Sequence, residues 1–332
     1  MVTLNDIAKA SGYSPATISR LFKNDPSLSI RPQSKKIIFD TAMQLGYPLE
    51  KINFAFDRVL LLYWISENEE LQDEYFLEMH QQLDQFARNK HFSLTILRKG
   101  KLDPHYLRTY DAFIAVGSFS MLDLEILEKN FEYGVFVEAQ HFQNKFDTVN
   151  PDLEYITKKA IRLFLDKGYR KIGFIGGSYF SPDHSVESRD IRESYFRHYL
   201  NSYNLLQEKY IFSGGKFSIE SGRKLANEML QSLEKDPLPE AILIASDTIA
   251  LGVLQILEQH HVKIPEDLEI ISINNKAPSQ DNLLTLASFA IDIPEIARTA
   301  INLLYEQLTS HRKISKNVLI GSMLSEGDSF QA

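Results

Sequence analysis

Apolar residues recur at helical spacing near the start of the chain. Leu4, Ile7 and Ala8, then Ile18, Leu21 and Phe22, follow i, i+3, i+4 steps, which predicts two short amphipathic helices within residues 2–22. Thr3 and Asp6 have the spacing of an N-cap and its reciprocal partner. Gly12 stands between the helices, where a residue without Cβ turns through positive φ at little cost. Ser14 suits the next N-cap, and Pro15 the first helical position, where an N–H would lack an intrahelical partner anyway. A third apolar face of Ile37, Ile38, Ala42 and Leu45 predicts a helix over about 32–45, ended by Gly46-Tyr47-Pro48.

From about Arg58 the pattern changes. Apolar runs at 59–65, 93–97, 112–116, 135–137, 171–175, 241–245 and 268–273 alternate with amphipathic stretches at 74–89, 153–167, 187–203, 219–233, 249–260 and 295–308. Continuous apolar strands separated by helices mean parallel sheets covered on both faces. Some nine or ten strands exceed one compact sheet, so the expected fold class is α/β, a helical head followed by a two-lobed body. The expected divisions are a head at 1–48, a linker or hinge at 49–57 and a body at 58–330. Within the body, lobe 1 is expected at about 58–150 and 276–291, and lobe 2 at about 151–275 and 292–330. Tyr63 and Trp64, at the end of the first run, either line the mouth of the cleft or lie in the apolar interior, and the interior is expected.

The second helix turns an unusual face outward. Pro15, Ala16, Thr17, Ser19 and Arg20 are small or hydrogen-bonding, which suits base edges and phosphates better than a greasy interface. The net charge of −8 argues against nucleic acid until its distribution is considered. Residues 1–48 carry six Lys or Arg against three Asp, a charge of +3, which leaves −8 − 3 = −11 on the remainder. A cationic head on an anionic body confines attraction for DNA to one end.

Other chemistry is excluded by absence. There is no cysteine, so no disulfide framework or thiolate metal site. Neither a phosphate-cradling Gly-rich loop nor a Gly-x-Ser-x-Gly elbow nor a metal-spaced His/Asp/Glu cluster occurs. Gly173-Phe174-Ile175-Gly176-Gly177 reads as a strand-to-loop turn, and the adjacent His260 and His261 diverge. No catalytic residue, metal or cofactor is expected. No basic and apolar leader opens the chain, and its longest apolar run, Val59 to Ile65, falls far short of the ~20 residues that span a bilayer. A cytoplasmic protein with no membrane partner is expected.

Longer motifs extend the picture. Thr3-Leu4-x-Asp6-Ile7-Ala8 with Gly12-Tyr13-Ser14-x-Ala16-Thr17-Ile18-Ser19-Arg20, Gly168-Tyr169-Arg170-Lys171-Ile172-Gly173-Phe174-Ile175-Gly176-Gly177, Ala245-Ser246-Asp247-x-Ile249-Ala250-Leu251-Gly252 and Ile264-Pro265-Glu266-Asp267-Leu268-Glu269-Ile270-Ile271-Ser272 run through almost the whole chain. In these the chain resembles the lac repressor and galactose repressor family of bacterial transcription regulators, most of all the branch controlling galactose or β-galactoside operons. The resemblance implies a homodimer on a pseudo-palindromic operator, with a periplasmic-binding-protein-like body that takes a small sugar effector. By that likeness Pro15, Ala16, Thr17, Ser19 and Arg20 fall at operator-contacting positions, with Thr3, Ser34 and Lys35 at further backbone contacts. Arg192 falls at the arginine that forks onto sugar hydroxyls, Phe217 at a stacking aromatic, Ser246, Asp247 and Asn274 at polar ligands, and Glu138 at an acidic position of the first lobe.

Sugar chemistry is consistent with that set, since hydroxyls and C–H patches call for forked donors, carboxylate or amide acceptors and an aromatic face. Alternatives stay open: Arg192 solvated on the surface or in a structural ion pair, Asp247 as the cap of the helix starting near Ile249, Phe217 in the core. The family's Ala-rich hinge helix with its minor-groove leucine has no clean counterpart in Leu49-Glu50-Lys51-Ile52-Asn53-Phe54-Ala55-Phe56, which leaves Ile52 or a phenylalanine as the wedge, or a weaker bend. Arg31 stands where many relatives have a helix-capping serine. An alternative function is a family regulator whose body senses a protein partner or a phosphorylated metabolite as corepressor.

Overall fold

The computed structural model describes residues 2–23, 25, 27–48, 52, 58–67, 74–90, 92–98, 100–139, 145–180, 187–274, 284–310 and 312–331. Two compact units emerge, Met1–Val149 with Ile293–Val318 and Asn150–Asp292 with Leu319–Ala332.

The first unit begins with α1 (Leu4–Ser11), α2 (Pro15–Phe22) and α3 (Pro32–Gln44). Thr3 and Asp6 close a capping box, Gly12 makes the turn at φ 77°, and Ser14 caps α2 ahead of Pro15. Ile7, Ile18, Leu21, Phe22, Ile38 and Ala42 form the core of this head, and the rings of Phe22 and Phe39 stack 5.7 Å apart. The expected linker, 49–57, lies outside the described residues except for Ile52. That side chain is buried with the head core rather than presented as a wedge.

Behind the head, β1 (Val59–Tyr63), β2 (Leu94–Arg98), β3 (Ala112–Val116), β4 (Gly134–Val137) and β5 (Asp147–Pro151) join β13 (Asn317–Ile320) in a six-stranded sheet ordered β13-β5-β4-β3-β1-β2. β1 and β3 are apolar throughout and fully buried, as covering on both faces requires. The helices of this unit are α4 (Glu74–Asn89), α5 (Pro104–Leu107), α6 (Met121–Asn130) and α11 (Ile293–Ser310).

In the second unit β6 (Ile172–Gly176), β9 (Ile211–Ser213), β10 (Ala241–Ile244), β11 (Glu269–Asn274), β12 (Ala287–Ala290) and β14 (Met323–Ser325) form a sheet ordered β14-β12-β11-β10-β6-β9. Only β14 runs antiparallel to its neighbour among the pairings described. A small hairpin of β7 (Ser178–Phe180) and β8 (Glu187–Arg189) stands beside it. The helices are α7 (Leu153–Asp166), α8 (Ile191–Ser202), α9 (Ile219–Ser232) and α10 (Asp247–Gln259). Helices α9 and α10 touch backbone to backbone at glycines, where a Cβ on Gly222 would fall 2.1 Å from the Ile249 carbonyl oxygen.

Several expectations are corrected. The stretch expected in lobe 1 at 276–291 contributes β12 to the second unit, because its backbone completes the sheet beside β11. Residues 293–318, expected in lobe 2, belong to the first unit. There Gln307 of α11 exchanges hydrogen bonds with both backbone groups of Gly134, at 3.0 and 3.1 Å, and Arg312 pairs with the fully buried Asp147. The helix expected from residue 187 starts at Ile191, since Asp190 caps it and 187–189 pair as β8. Gly173 and Gly176 lie within β6 and not in a turn after it.

Candidate DNA-reading face and ligand sites

In the head, α2 buries Ile18, Leu21 and Phe22 and turns its other residues outward. Pro15, Ala16 and Arg20 are exposed, with Thr17 and Ser19 half-buried. The face is already partly organised. The Thr17 N–H donates to Ser14 Oγ at 3.0 Å, and the two hydroxyls lie 2.8 Å apart. Thr3 Oγ1 donates to Asp6 at 2.7 Å, so its hydroxyl serves the capping box. Arg20 donates from Nε to Asp25 at 2.7 Å and from NH2 to Ser27 at 2.8 Å. The Ser27 hydroxyl and the Arg20 guanidinium hold the Asp25 carboxyl down to about 2. A phosphate on Arg20 therefore competes with a carboxylate already in place. Ser34 and Lys35 occupy the start of α3, both half-buried.

The second unit gathers five of the six body residues of the sequence at the carboxyl ends of its strands. Asp190 caps α8 and takes two charge-assisted bonds from Arg192, Nε to Oδ1 and NH2 to Oδ2, each 2.8 Å. Arg192 NH1 donates to the Ala245 carbonyl at 2.7 Å, which ties the start of α8 to the end of β10. The Phe217 ring lies 4.7 Å from the same guanidinium, within cation–π range, and 5.8 Å from the ring of Tyr179. Gly177 makes room for it, because a Cβ there would sit 3.1 Å from the Phe217 ring.

Ser246, next along the chain, caps α10 by accepting from the Ile249 N–H at 3.3 Å. The cap is therefore Ser246, and Asp247 is the first residue of the helix. Asp247 is buried and accepts from Ser288 Oγ at 2.8 Å and from Ser272 Oγ. Asn274 closes β11 at φ 111°, opposite Ala290 of β12. Asp190, Ser272 and Ser288 were missed from the sequence. The two serines interrupt apolar strands, a signal that could have found them.

Glu138, the sixth residue, belongs to the first unit. It follows β4 at φ 60°, its N–H donates to the Val149 carbonyl at 3.2 Å, and its carboxylate accepts from the Tyr75 hydroxyl. Trp64 follows β1, its ring against Gly117, which stands at φ 91° where a Cβ would lie 1.9 Å from indole Cδ1. Among the described residues no group of three His, Cys, Asp or Glu could hold a metal, and no helix is long and apolar enough to cross a membrane.

Residues 161–330 match the model of the periplasmic binding protein-like domain family. Over 324 residues the chain is 36% identical to the HTH-type transcriptional regulator GanR of Bacillus subtilis, covering 98% of both proteins. The chain belongs to the lac repressor and galactose repressor family. Within that family it is also 37% identical over 316 residues to the HTH-type transcriptional regulator LacR of Lactobacillus helveticus, covering 92% of this chain and 91% of that one. A crystal structure of the lac repressor dimer bound to operator and the anti-inducer ONPF shares the fold, with a TM-score of 0.69 at 16% identity over 100% of this chain and 99% of that one. As a member of this family the protein is a DNA-binding transcriptional regulator and not an enzyme.

Proposed function

We propose that this regulator represses genes for the use of galactose or β-galactosides and is released from DNA by a small neutral sugar. The observation that carries the reading is the cluster at the strand ends of the second unit, where the Phe217 ring lies over the Arg192 fork and that fork holds the Ala245 carbonyl, two residues before the buried Asp247. A forked cationic donor beside an aromatic face and a carboxylate is the donor and acceptor set that hydroxyls and C–H faces require. Ser246 and Asn274 add polar groups at strand ends of the same unit, the usual place for a ligand in open α/β sheets, and Glu138 offers a carboxylate after β4 of the first unit.

The reading gives the head the operator. Pro15, Ala16, Thr17, Ser19 and Arg20 of α2 meet bases and phosphates, and Thr3, Ser34 and Lys35 meet the backbone. A homodimer, the form in which the lac repressor is bound to its operator, presents two heads to a pseudo-palindrome with half-sites a helical turn or so apart. Such a protein acts in the cytoplasm. Sequencing the fragments that the purified protein retains from its own genomic DNA tests the reading. One pseudo-palindromic motif beside sugar-utilisation genes is expected; uniform recovery of fragments would overturn it.

A further inference from the structure

Arg20 stands in the last turn of α2 on its exposed side, and the chain that follows folds back onto it. The Asp25 N–H donates to the Arg20 carbonyl at 3.0 Å, the bond by which a chain reverses over the end of a helix, so the backbone itself returns Asp25 to the arginine. The Asp25 side chain then forms a turn of its own. Its Oδ1 accepts from the Ser27 N–H at 2.9 Å and from the Ser27 hydroxyl at 2.6 Å. Neither contact needs DNA, since residues adjacent in the chain set both groups in place.

The guanidinium meets this turn along one edge. Nε donates to Asp25 Oδ2 at 2.7 Å and NH2 to Ser27 Oγ at 2.8 Å, the Ser27 proton being committed to Asp25. A guanidinium carries five N–H donors in a fixed plane, and these two bonds take its Nε side. The opposite edge, NH1 with the second proton of NH2, has no partner among the described residues and sets two parallel donors at the tip of the side chain. The Arg20 and Asp25 side chains are 46% and 31% exposed, so their ion pair adds little stability. What it fixes is the direction of the fork.

We propose that Asp25 and Ser27 are positioning residues for sequence recognition, holding the Nε edge of Arg20 so that its tip reads a guanine edge instead of a phosphate. The assignment rests on the reading that α2 meets the operator, and it decides which kind of contact Arg20 makes there. In the major groove guanine alone presents two acceptors on one base, O6 and N7, which an arginine fork bonds together. That edge carries no net charge, so a carboxylate behind the fork does not repel it. A phosphate is an anion, and Asp25 opposes it as a second one. Arg20, neutralised in advance, therefore contributes more to the choice of sequence than to the salt-dependent attraction for any duplex.

The test uses full-length protein and the duplex it retains from its own genomic DNA, each G·C pair of one half-site being changed in turn to A·T. Fluorescence anisotropy gives the affinity for each duplex and for a random one. At one position the change should weaken the parent about 5- to 150-fold, the worth of a good fork on guanine. Arg20→Ala should abolish that preference without altering the salt dependence of random-duplex binding. Asp25→Asn keeps an oxygen for the Ser27 N–H and turns an amide N–H toward Nε. It and Ser27→Ala should each reduce the preference about two- to tenfold, the range of an ordinary hydrogen bond, with the random duplex bound as well or better. Ser27→Thr keeps the hydroxyl and should retain the preference. In the Arg20→Ala protein, Asp25→Asn should change nothing further at that position. Equal weakening of operator and random duplexes marks a structural role, and equal tightening marks a plain surface anion. Either pattern, or no change in Asp25→Asn and Ser27→Ala, overturns the positioning while leaving Arg20 as a reader. A preference intact in Arg20→Ala, a salt slope that falls by about one in it, or uniform recovery of genomic fragments overturns the guanine contact too.

Discussion

Replacing Arg192 by alanine strands the Asp190 carboxylate, and the size of that effect follows from the burial of the pair. The Asp190 side chain has no exposed surface and that of Arg192 is 8% exposed, so solvent screens their two short bonds very little. Removing one member of a buried pair costs about 3–5 kcal/mol, mostly through the uncompensated charge left behind. A unit of this size loses about 2–4 °C in melting temperature per kcal/mol, so Arg192→Ala should melt roughly 6–20 °C lower. Asp190→Asn keeps an acceptor for the Arg192 N–H, 2.7 Å away, and removes the charge. The double variant Asp190→Asn/Arg192→Ala leaves no unpaired charge, although the Ala245 carbonyl still loses its Arg192 donor, and should recover much of the loss. Circular-dichroism melts of the four proteins complete a double-mutant cycle. A double variant destabilised by the full sum of the single losses would refute the coupling. Sugar binding by Arg192→Ala has to be read below its own, lowered transition.

Three further outcomes are expected. Ile18→Ala removes a fully buried side chain from the head, a change worth about 2–5 kcal/mol. At about 0.05–0.15 kcal/mol per residue, a head of some 48 residues holds only about 2–7 kcal/mol in total. Operator binding in a gel shift should therefore collapse while sugar binding by the body persists, and undiminished operator affinity would contradict the helix assignment. Gly252→Ala places a Cβ 2.0 Å from the Ile219 carbonyl oxygen, so α9 and α10 must part. The expected cost is about 1–3 kcal/mol, visible as a lower melting temperature, and an unchanged melt would refute the close approach. Asp25 titrates at about 2 against an ordinary 3.8, so its bonds to Ser27 and Arg20 stabilise the head above pH 3.8 and are lost as pH falls toward 2. An NMR titration of its carboxyl carbon with a midpoint near 3.8 would show that these bonds do not form in solution.

Much of this architecture was legible because burial on both faces writes a plain pattern. Val59–Tyr63 and Ala112–Val116 are continuous apolar runs, and α4 matches the predicted helix at both ends. The head was clearer still, since Thr3, Gly12, Ser14 and Pro15 each carry a local geometric reason for their place. β5 was invisible because Asp147, Asn150 and Pro151 read as a loop, although partners from distant parts of the chain hold the strand in place. Arg312 and the Lys316 N–H, which lie 165 and 169 residues further on, bond Asp147. That non-local pairing also hid the lobe assignment, because no short-range signal announces that α11 returns to the first unit. The candidate cluster was half legible. Arg192, Phe217 and Asp247 stand out in the sequence, whereas Asp190 and Ser288 act through neighbours that only the fold supplies.

Linkage gives the most direct test of the central claim. If a sugar in the body governs the head, its affinity for free protein and for operator-bound protein must differ by the factor by which it weakens operator binding. Fluorescence anisotropy of a labelled operator duplex, recovered from the retained genomic fragments, measures that factor with and without saturating galactose or lactose. The account predicts operator affinity lowered by about 5–150-fold, the usual range of such couplings. Operator affinity that stays the same while calorimetry shows the sugar bound would contradict it.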